Sequence, residues 1–241
     1  MSWRDAANAV LASLFEPPCA ACSGVLLTPL DGAVCEACWS QVRLLPSSPR
    51  ERLPHDRALD ALCAIGEYDG RLRDIIHALK YERRRSISPT LGSLMRAAGA
   101  GLLHDADIVV PVPLHPSRER ARGFNQAEDL ARTLGPPVRQ LLKRVIATVP
   151  QVELPATERH RNVRDAFALS FPTSVKLPTL PWTVPTSELL PAKLHVPAVI
   201  VLVDDVSTTG ATLDACARVL KAAGAREVRA LTAARVAVAR R

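Results

Sequence analysis

Aromatic residues are scarce, making up 4% of the 241-residue chain as three Trp, two Tyr and four Phe. A core with so few rings must be built from Ala, Val, Leu and Ile, and binding by extensive base stacking has few platforms to use. No stretch approaches the roughly 20 apolar residues that cross a bilayer. The start of the chain, interrupted by Arg4, Asp5, Asn8 and Ser13, lacks the form of a cleaved leader. It reads instead as a short amphipathic helix with Val10, Leu11 and Leu14 near one face, in a cytoplasmic protein. GxxxxGK[ST] and GxGxxG are both absent, which excludes a Walker loop and a Rossmann fingerprint. No helix-turn-helix or other DNA-reading motif occurs either.

What is present has a globular balance, 48% apolar residues against 23% charged. Net charge is +7, and residues 1–50 carry three Arg against four acids, so the excess lies in the remainder. A basic surface suits nucleic acid, phosphorylated metabolites or simply solubility. The length suits one α/β domain with an appendage. Pro46-Ser47-Ser48-Pro49 reads as a linker, placing a small module in residues 1–48 and the main domain in 55–241. Residues 171–197 hold many prolines, Trp182 and no periodicity, as expected of an exposed irregular excursion.

Four of the six cysteines stand as Cys19-Ala20-Ala21-Cys22 and Cys35-Glu36-Ala37-Cys38, with twelve residues between the pairs. Two CxxC knuckles at that separation predict a tetrahedral, structural zinc site, each knuckle supplying two thiolates from one turn. No βαβ context surrounds either knuckle, which disfavours a thioredoxin-like pair. Cys63 and Cys216 read as small core residues.

Leu59 to Tyr68 predicts a strand, Asp69-Gly70 a turn, and Leu72, Ile75, Ile76 and Leu79 a helix. The basic run Lys80 to Arg85 reads as a solvated face at the negative end of that helix. A second helix follows over Leu91 to Ala98. Ile108 to Pro113 predicts a strand entering a loop, His115 to Gln126, where Arg118, Arg120 and Arg122 alternate and Asn125 caps the next helix. Basic side chains and backbone N–H groups converging there make an anion site. Ala198 to Val203 is a continuous apolar strand of the kind covered on both faces, followed by a helix over Leu213 to Leu220 and a strand over Val228 to Ala233. Such a βαβ unit binds ligands beyond the carboxyl end of its strand.

At that end lie Asp204 and Asp205, side by side. Adjacent carboxylates next to an apolar run repel and lose solvation unless a cation or a hydroxyl-rich partner meets them. The residues after them offer three threonine hydroxyls, backbone N–H groups and Gly210 at a helix start, a pattern suited to phosphate. A plainer reading has the acids only capping the helix.

Val201 to Thr212 resembles the phosphoribosyl-diphosphate (PRPP) signature of type I phosphoribosyltransferases. The chain as a whole resembles the ComF family. That resemblance is carried by the four cysteines followed by Trp39, by Tyr68-Asp69-Gly70, by Lys80-Tyr81, and by Val112-Pro113 leading to Arg122-Gly123-Phe124-Asn125-Gln126. Gln151 and Arg159-His160-Arg161-Asn162-Val163 before Phe167 complete it.

The resemblance implies an α/β fold, type I phosphoribosyltransferase-like, with a mainly parallel sheet flanked by helices and a small N-terminal zinc-ribbon module. It implies that Asp204 and Asp205 meet the ribose hydroxyls of PRPP, or of a ribose 5-phosphate-type ligand, with Mg²⁺ beside them. Ser207, Thr208, Thr209, Gly210, Ala211 and Thr212 would hold the 5′-phosphate, and Arg118, Arg120 and Arg122 would face the pyrophosphate. Arg159 and Asn162 would close over the ligand from a flap spanning 148–167. The implied setting is natural transformation, with single-stranded DNA and competence proteins as partners. As an enzyme the protein would displace pyrophosphate from ribose C1′, although no residue identifies the nucleophile. The alternative is a non-catalytic adaptor or ligand sensor, using the zinc ribbon and basic surface to bind nucleic acid or a protein partner.

Overall fold

Val199–Ser207, which contains the most apolar run of the chain, lies inside a five-stranded sheet in the computed structural model. Residues 2–46, 51–52, 57–146, 166–170 and 196–237 are described. In chain order the elements begin with α1 (Trp3–Phe15), α2 (Glu36–Ser40), β1 (Glu51–Arg52), β2 (Ala61–Glu67), α3 (Gly70–Tyr81) and a 3₁₀ turn (Arg85–Ile87). There follow α4 (Ser88–Ala98), α5 (Ala100–Leu103), β3 (Ile108–Pro111), α6 (Pro116–Arg122) and α7 (Gln126–Ala131). The chain continues with β4 (Leu142–Arg144), β5 (Phe167–Leu169), β6 (Val199–Ser207), α8 (Ala211–Ala222) and β7 (Glu227–Arg235).

The sheet order is β1-β2-β7-β6-β3. β2, β7, β6 and β3 are mutually parallel and β1 is an antiparallel edge, so the mainly parallel sheet flanked by helices is present. β4 and β5 form a separate antiparallel pair. β6 runs past the expected end at Val203, because β7 pairs with it along the whole way: Asp204 lies opposite Thr232 and Ser207 opposite Arg235. The two acids are therefore strand residues.

Side chains alternate across a strand, and here that alternation separates two cores. Val201 and Val203 of β6 join Leu79 of α3, Leu91 of α4 and Leu130 of α7 on one face. Ile200 and Leu202 join Leu213, Cys216 and Leu220 of α8, with Leu142 and Phe167 of the β4–β5 pair, on the other. Burial on both sides explains a strand without polar alternation. α4 approaches the end of α7 so closely that a Cβ on Gly92 would sit 1.8 Å from Thr133 Oγ1, which is why a glycine stands inside that helix.

The cysteine module shares the α3-side core, to which Cys19, Leu26, Val34 and Cys38 belong. α1 packs through Asn8 and Ala12 rather than through its apolar stripe. Asn8 accepts from the Leu30 N–H at 2.9 Å and donates to Asp31 at 3.3 Å. Of the expected face only Leu11 is half-buried; Val10 is 55% and Leu14 71% exposed, beside Trp3 at 77%. Asn8, with Arg4, which donates to the Leu30 carbonyl and pairs with Asp31, anchors the helix to the module and outweighs its hydrophobic pattern. Among the described residues, no helix is long and apolar enough to cross a membrane.

Candidate functional site

A cleft of about 700 Å³ opens where the parallel strands end. Tyr68 after β2, Pro113 beyond β3, Asp204 to Ser207 of β6 and Val236 after β7 all line it. Parallel α/β sheets bind ligands at this end, because loops and helix starts bring polar groups to the crevice above the strands.

Alternation sends the neighbouring acids toward different faces. Asp205, on the α3 side, is 3% exposed and its Oδ1 meets Lys80 Nζ at 2.9 Å. Its Oδ2 is buried with no hydrogen-bond partner among the described residues. Burial works against the Lys80 charge, but the Asp205 carboxylate outweighs it and holds the ammonium pKa above its ordinary value. Asp204, on the α8 side, accepts from the Asp205 backbone N–H at 2.8 Å. Burial and the adjacent Asp205 carboxylate push its carboxyl up to about 8. The cation expected to answer the acidic pair is thus supplied by the chain itself, and for one of the two acids.

Beyond β6 the chain turns through Thr208 and Thr209 into Gly210, at φ 74, which opens α8 from the left-handed region that glycine tolerates best. Ser207, Thr208, Gly210, Ala211 and Thr212 line the cleft, and Thr209 does not. Thr209 holds the loop instead, accepting from the Ala211 N–H on Oγ1 at 3.4 Å and from Arg57 Nη1 on its carbonyl at 3.1 Å. Asp214 does not point to the cleft either; it accepts from the Ala58 N–H at 2.7 Å and from Arg218, pinning the strand entrance to α8.

The segment expected as a basic loop is the helix α6, closed by Gly123 at φ 84. On a helix, residues four apart share a face and residues two apart do not. Arg118 and Arg122 accordingly line the cleft while Arg120 does not. Asn125 caps α7 by accepting from the Ala127 N–H at 3.0 Å, and its amide donates to the Val112 carbonyl at 3.1 Å. Arg159 and Asn162, along with 147–165 and 171–195, lie outside the described residues.

Lys80, Tyr81, Arg83, Gln126 and Arg144 line the cleft without having been expected there. Lys80 continues the row Leu72, Ile76 on the buried side of α3, a spacing that could have set it apart from the solvated run. Arg83 and Arg85 are exposed, yet they bind rather than float: Arg83 donates to the Ala121 carbonyl at 2.8 Å, and Arg85 grips both oxygens of Asp129. Arg144 carries no local signal, since β4 is three residues long. Burial, and then the charge of Arg118, depress its pKa, and both guanidinium groups line the cleft, which makes this wall basic.

The four cysteines of the N-terminal module form a second cluster. Their sulfurs all lie within 4.8 Å of one another, with Cys19–Cys38 and Cys22–Cys35 each at 3.9 Å. Tetrahedral Zn–S bonds of about 2.3 Å put sulfurs about 3.8 Å apart, so the geometry fits zinc. Cys35 is the N-cap residue of α2 and Cys38 lies within it, while among the described residues the strand pairing of the module consists of isolated bridges, Pro18 to Val25 within it and Leu44 to Gly66 of β2. Burial opposes the Cys19 thiolate, but backbone N–H groups of Cys35, Ala21 and Cys22 overcome this and bring its pKa down to about 6, whereas burial and the other three cysteines push the Cys38 thiol up, as expected of four sulfurs crowded together.

No family model matches the chain. Competence protein F of Haemophilus influenzae is 28% identical over 217 residues, covering 86% of each chain. DNA utilization protein YhgH of Escherichia coli K12 is 30% identical over 229 residues, 87% of this chain and 86% of that one. Among solved structures, the allosteric regulatory enzyme of purine biosynthesis overlays 61% of this chain and 26% of that one. Its identity to this chain is 18%, with a TM-score of 0.34.

Proposed function

The chain belongs to the ComF family, and from that premise we propose that it binds PRPP in the cleft above the sheet and serves the use of incoming DNA. The observation that carries this reading is the convergence, at one end of β6, of the acid pair, the hydroxyl loop at the start of α8, and Arg118 and Arg122. A ribose diol supplies donors for Asp204 and for the unpartnered Oδ2 of Asp205. Ser207 to Thr212, with the α8 N-terminus, suit the 5′-phosphate. Arg118, Arg122 and Arg144 suit the diphosphate.

Mg²⁺ takes hard oxygen ligands, and the carboxylates of Asp204 and Asp205 fit it once phosphate oxygens are supplied. When bound with PRPP it contributes countercharge to the departing diphosphate. The residues of this chain orient the sugar, hold the acids apart and fix the anion at both ends. Residues 1–48 act as a zinc-bearing module and 55–241 as the ligand-binding domain, in a cytoplasm that keeps the thiolates reduced. The relatives' names speak of competence and of DNA utilization; single-stranded DNA and other competence proteins are the partners this reading takes from the family resemblance.

A non-catalytic adaptor or sensor remains the second reading. It is favoured by the outward apolar residues Trp3, Val10 and Leu14 of α1, a surface that suits a protein partner. Calorimetry above pH 8, where the Asp204 carboxyl is ionised, tests the first reading: PRPP binding is expected, and Asp204→Asn should weaken it about tenfold or more through loss of a charge-assisted hydrogen bond. Unchanged affinity in that variant would overturn the site assignment. Binding with no pyrophosphate release across candidate acceptors favours the sensor over the enzyme.

A further inference from the structure

Tyr81 is the last residue of α3, one past Lys80. Successive helical residues diverge by about 100°. While Lys80 turns inward to Asp205, Tyr81 turns out to the cleft mouth and is 65% exposed. The chain has two tyrosines, and both line this cleft.

Tyr81 is held in place. The His77 ring lies 4.7 Å away between centroids, and the Arg122 guanidinium stands 5.5 Å from the Tyr81 ring centre. Arg122 in turn donates to Gln126 Oε1. Arg83 shares the rim, fixed by a left-handed backbone at φ 56 and by its bond to the Ala121 carbonyl. The ends of α3 and α6 thus hold one exposed ring and two guanidinium groups next to the acid pair.

We propose that Tyr81 and Arg122 form a stacking site for a nucleobase, with Arg83 available to the attached phosphate. A base offers a π-face to both the phenol ring and the guanidinium plane, whereas a purely anionic ligand needs the cations and leaves the ring without a role. The cleft has the capacity for this second group, since about 700 Å³ lies in the upper part of the range for ligand pockets. The proposal rests on the reading of the neighbouring acids and hydroxyl loop as a PRPP site, because the base would lie beside the sugar.

The test titrates the full chain with a short oligothymidylate and with an all-abasic strand carrying the same phosphates. Wild type should prefer the base-bearing strand. Tyr81→Leu should lose about tenfold in affinity for it and little for the abasic strand, and Tyr81→Phe should keep the preference. Equal affinity of wild type for the two strands, or an equal loss on both in Tyr81→Leu, overturns the proposal. Thymidine 5′-monophosphate, titrated alongside, separates the sources: Tyr81-dependent binding of it assigns the site to free nucleotides, and dependence confined to the strand assigns it to DNA. A PRPP titration of wild type keeps the two readings apart. PRPP binding without base preference overturns stacking alone, and Tyr81-dependent base preference without PRPP binding overturns the sugar-phosphate reading alone.

Discussion

On the α3 face of the sheet, Asp205 is met by Lys80 at 2.9 Å, and behind that contact lies a core into which the cysteine module is built. On the α8 face, Asp204 has no such ion pair among the described residues, and burial beside Asp205 pushes its carboxyl up to about 8. Two residues adjacent in the chain therefore carry different electrostatic burdens. The first is largely settled by the fold, apart from one bare oxygen. The second stays costly to ionise and is the one a ligand can relieve, which is how a binding site differs from a structural ion pair.

The α3 face should break most severely when the zinc proposed for its four cysteines is removed. Elemental analysis is expected to find about one zinc per chain. Structural zinc contributes on the order of 10–16 kcal/mol in isolated zinc-finger peptides, and Cys19 and Cys38 lie in the same core as Leu79. Chelation should therefore lower the melting temperature of the whole chain. An unchanged melting curve in a metal-free sample would mean that this face stands without the metal.

Removing the counter-ion is the next largest disturbance. Lys80→Met leaves a buried carboxylate uncompensated and should cost about 3–5 kcal/mol in urea unfolding at neutral pH, with much of it recovered by Lys80→Met combined with Asp205→Asn. A single variant as stable as wild type would erase the difference between the faces.

Asp204→Asn should be milder for stability and is read by its pH dependence. Because the folded carboxyl titrates near 8 against an ordinary 3.8, the folded chain keeps a proton that the unfolded chain releases. That contribution is full below the unfolded value and is lost as pH rises through about 8. The variant should remove this slope, so its stability relative to wild type should grow from acid to mildly basic pH. Parallel curves for the two would place Asp204 in an ordinary environment. Smallest of all, Arg120→Ala should change stability by less than about 0.5 kcal/mol and leave PRPP binding alone, whereas Arg118→Ala should weaken it. Equal effects would undo the separation of the two arginines by helix geometry.

Much of this was legible in residue order. The CxxC spacing placed four sulfurs together, and the apolar run followed by Gly210 placed a strand, a loop and a helix start in register. Asn125 was recognisable as a cap because its hydrogen bond is local. Less was legible where a residue's role depends on a remote partner. The run from Lys80 to Arg85 looked solvated, yet Lys80 turns inward to an acid of β6. The alternating arginines looked equivalent until α6 wound and turned Arg120 away. α1 carried an apolar stripe that local pattern would bury, and Asn8 anchored the opposite side.

By itself the sequence determined a βαβ unit, the metal-type cysteine cluster and the position of the acid-hydroxyl segment at the end of a buried strand, while the rest of the parallel sheet was what the family resemblance implied. The first three follow from periodicity, turn chemistry and short spacings, all of which act over a few residues. Only the tertiary structure decided that Asp204 and Asp205 part to opposite faces, that Lys80 neutralises one of them, and that Arg144 and Tyr81 reach the same cleft. Those outcomes depend on which distant surfaces pack together, because charge and hydrogen-bond energies fall steeply with distance and solvent exposure, and packing sets both.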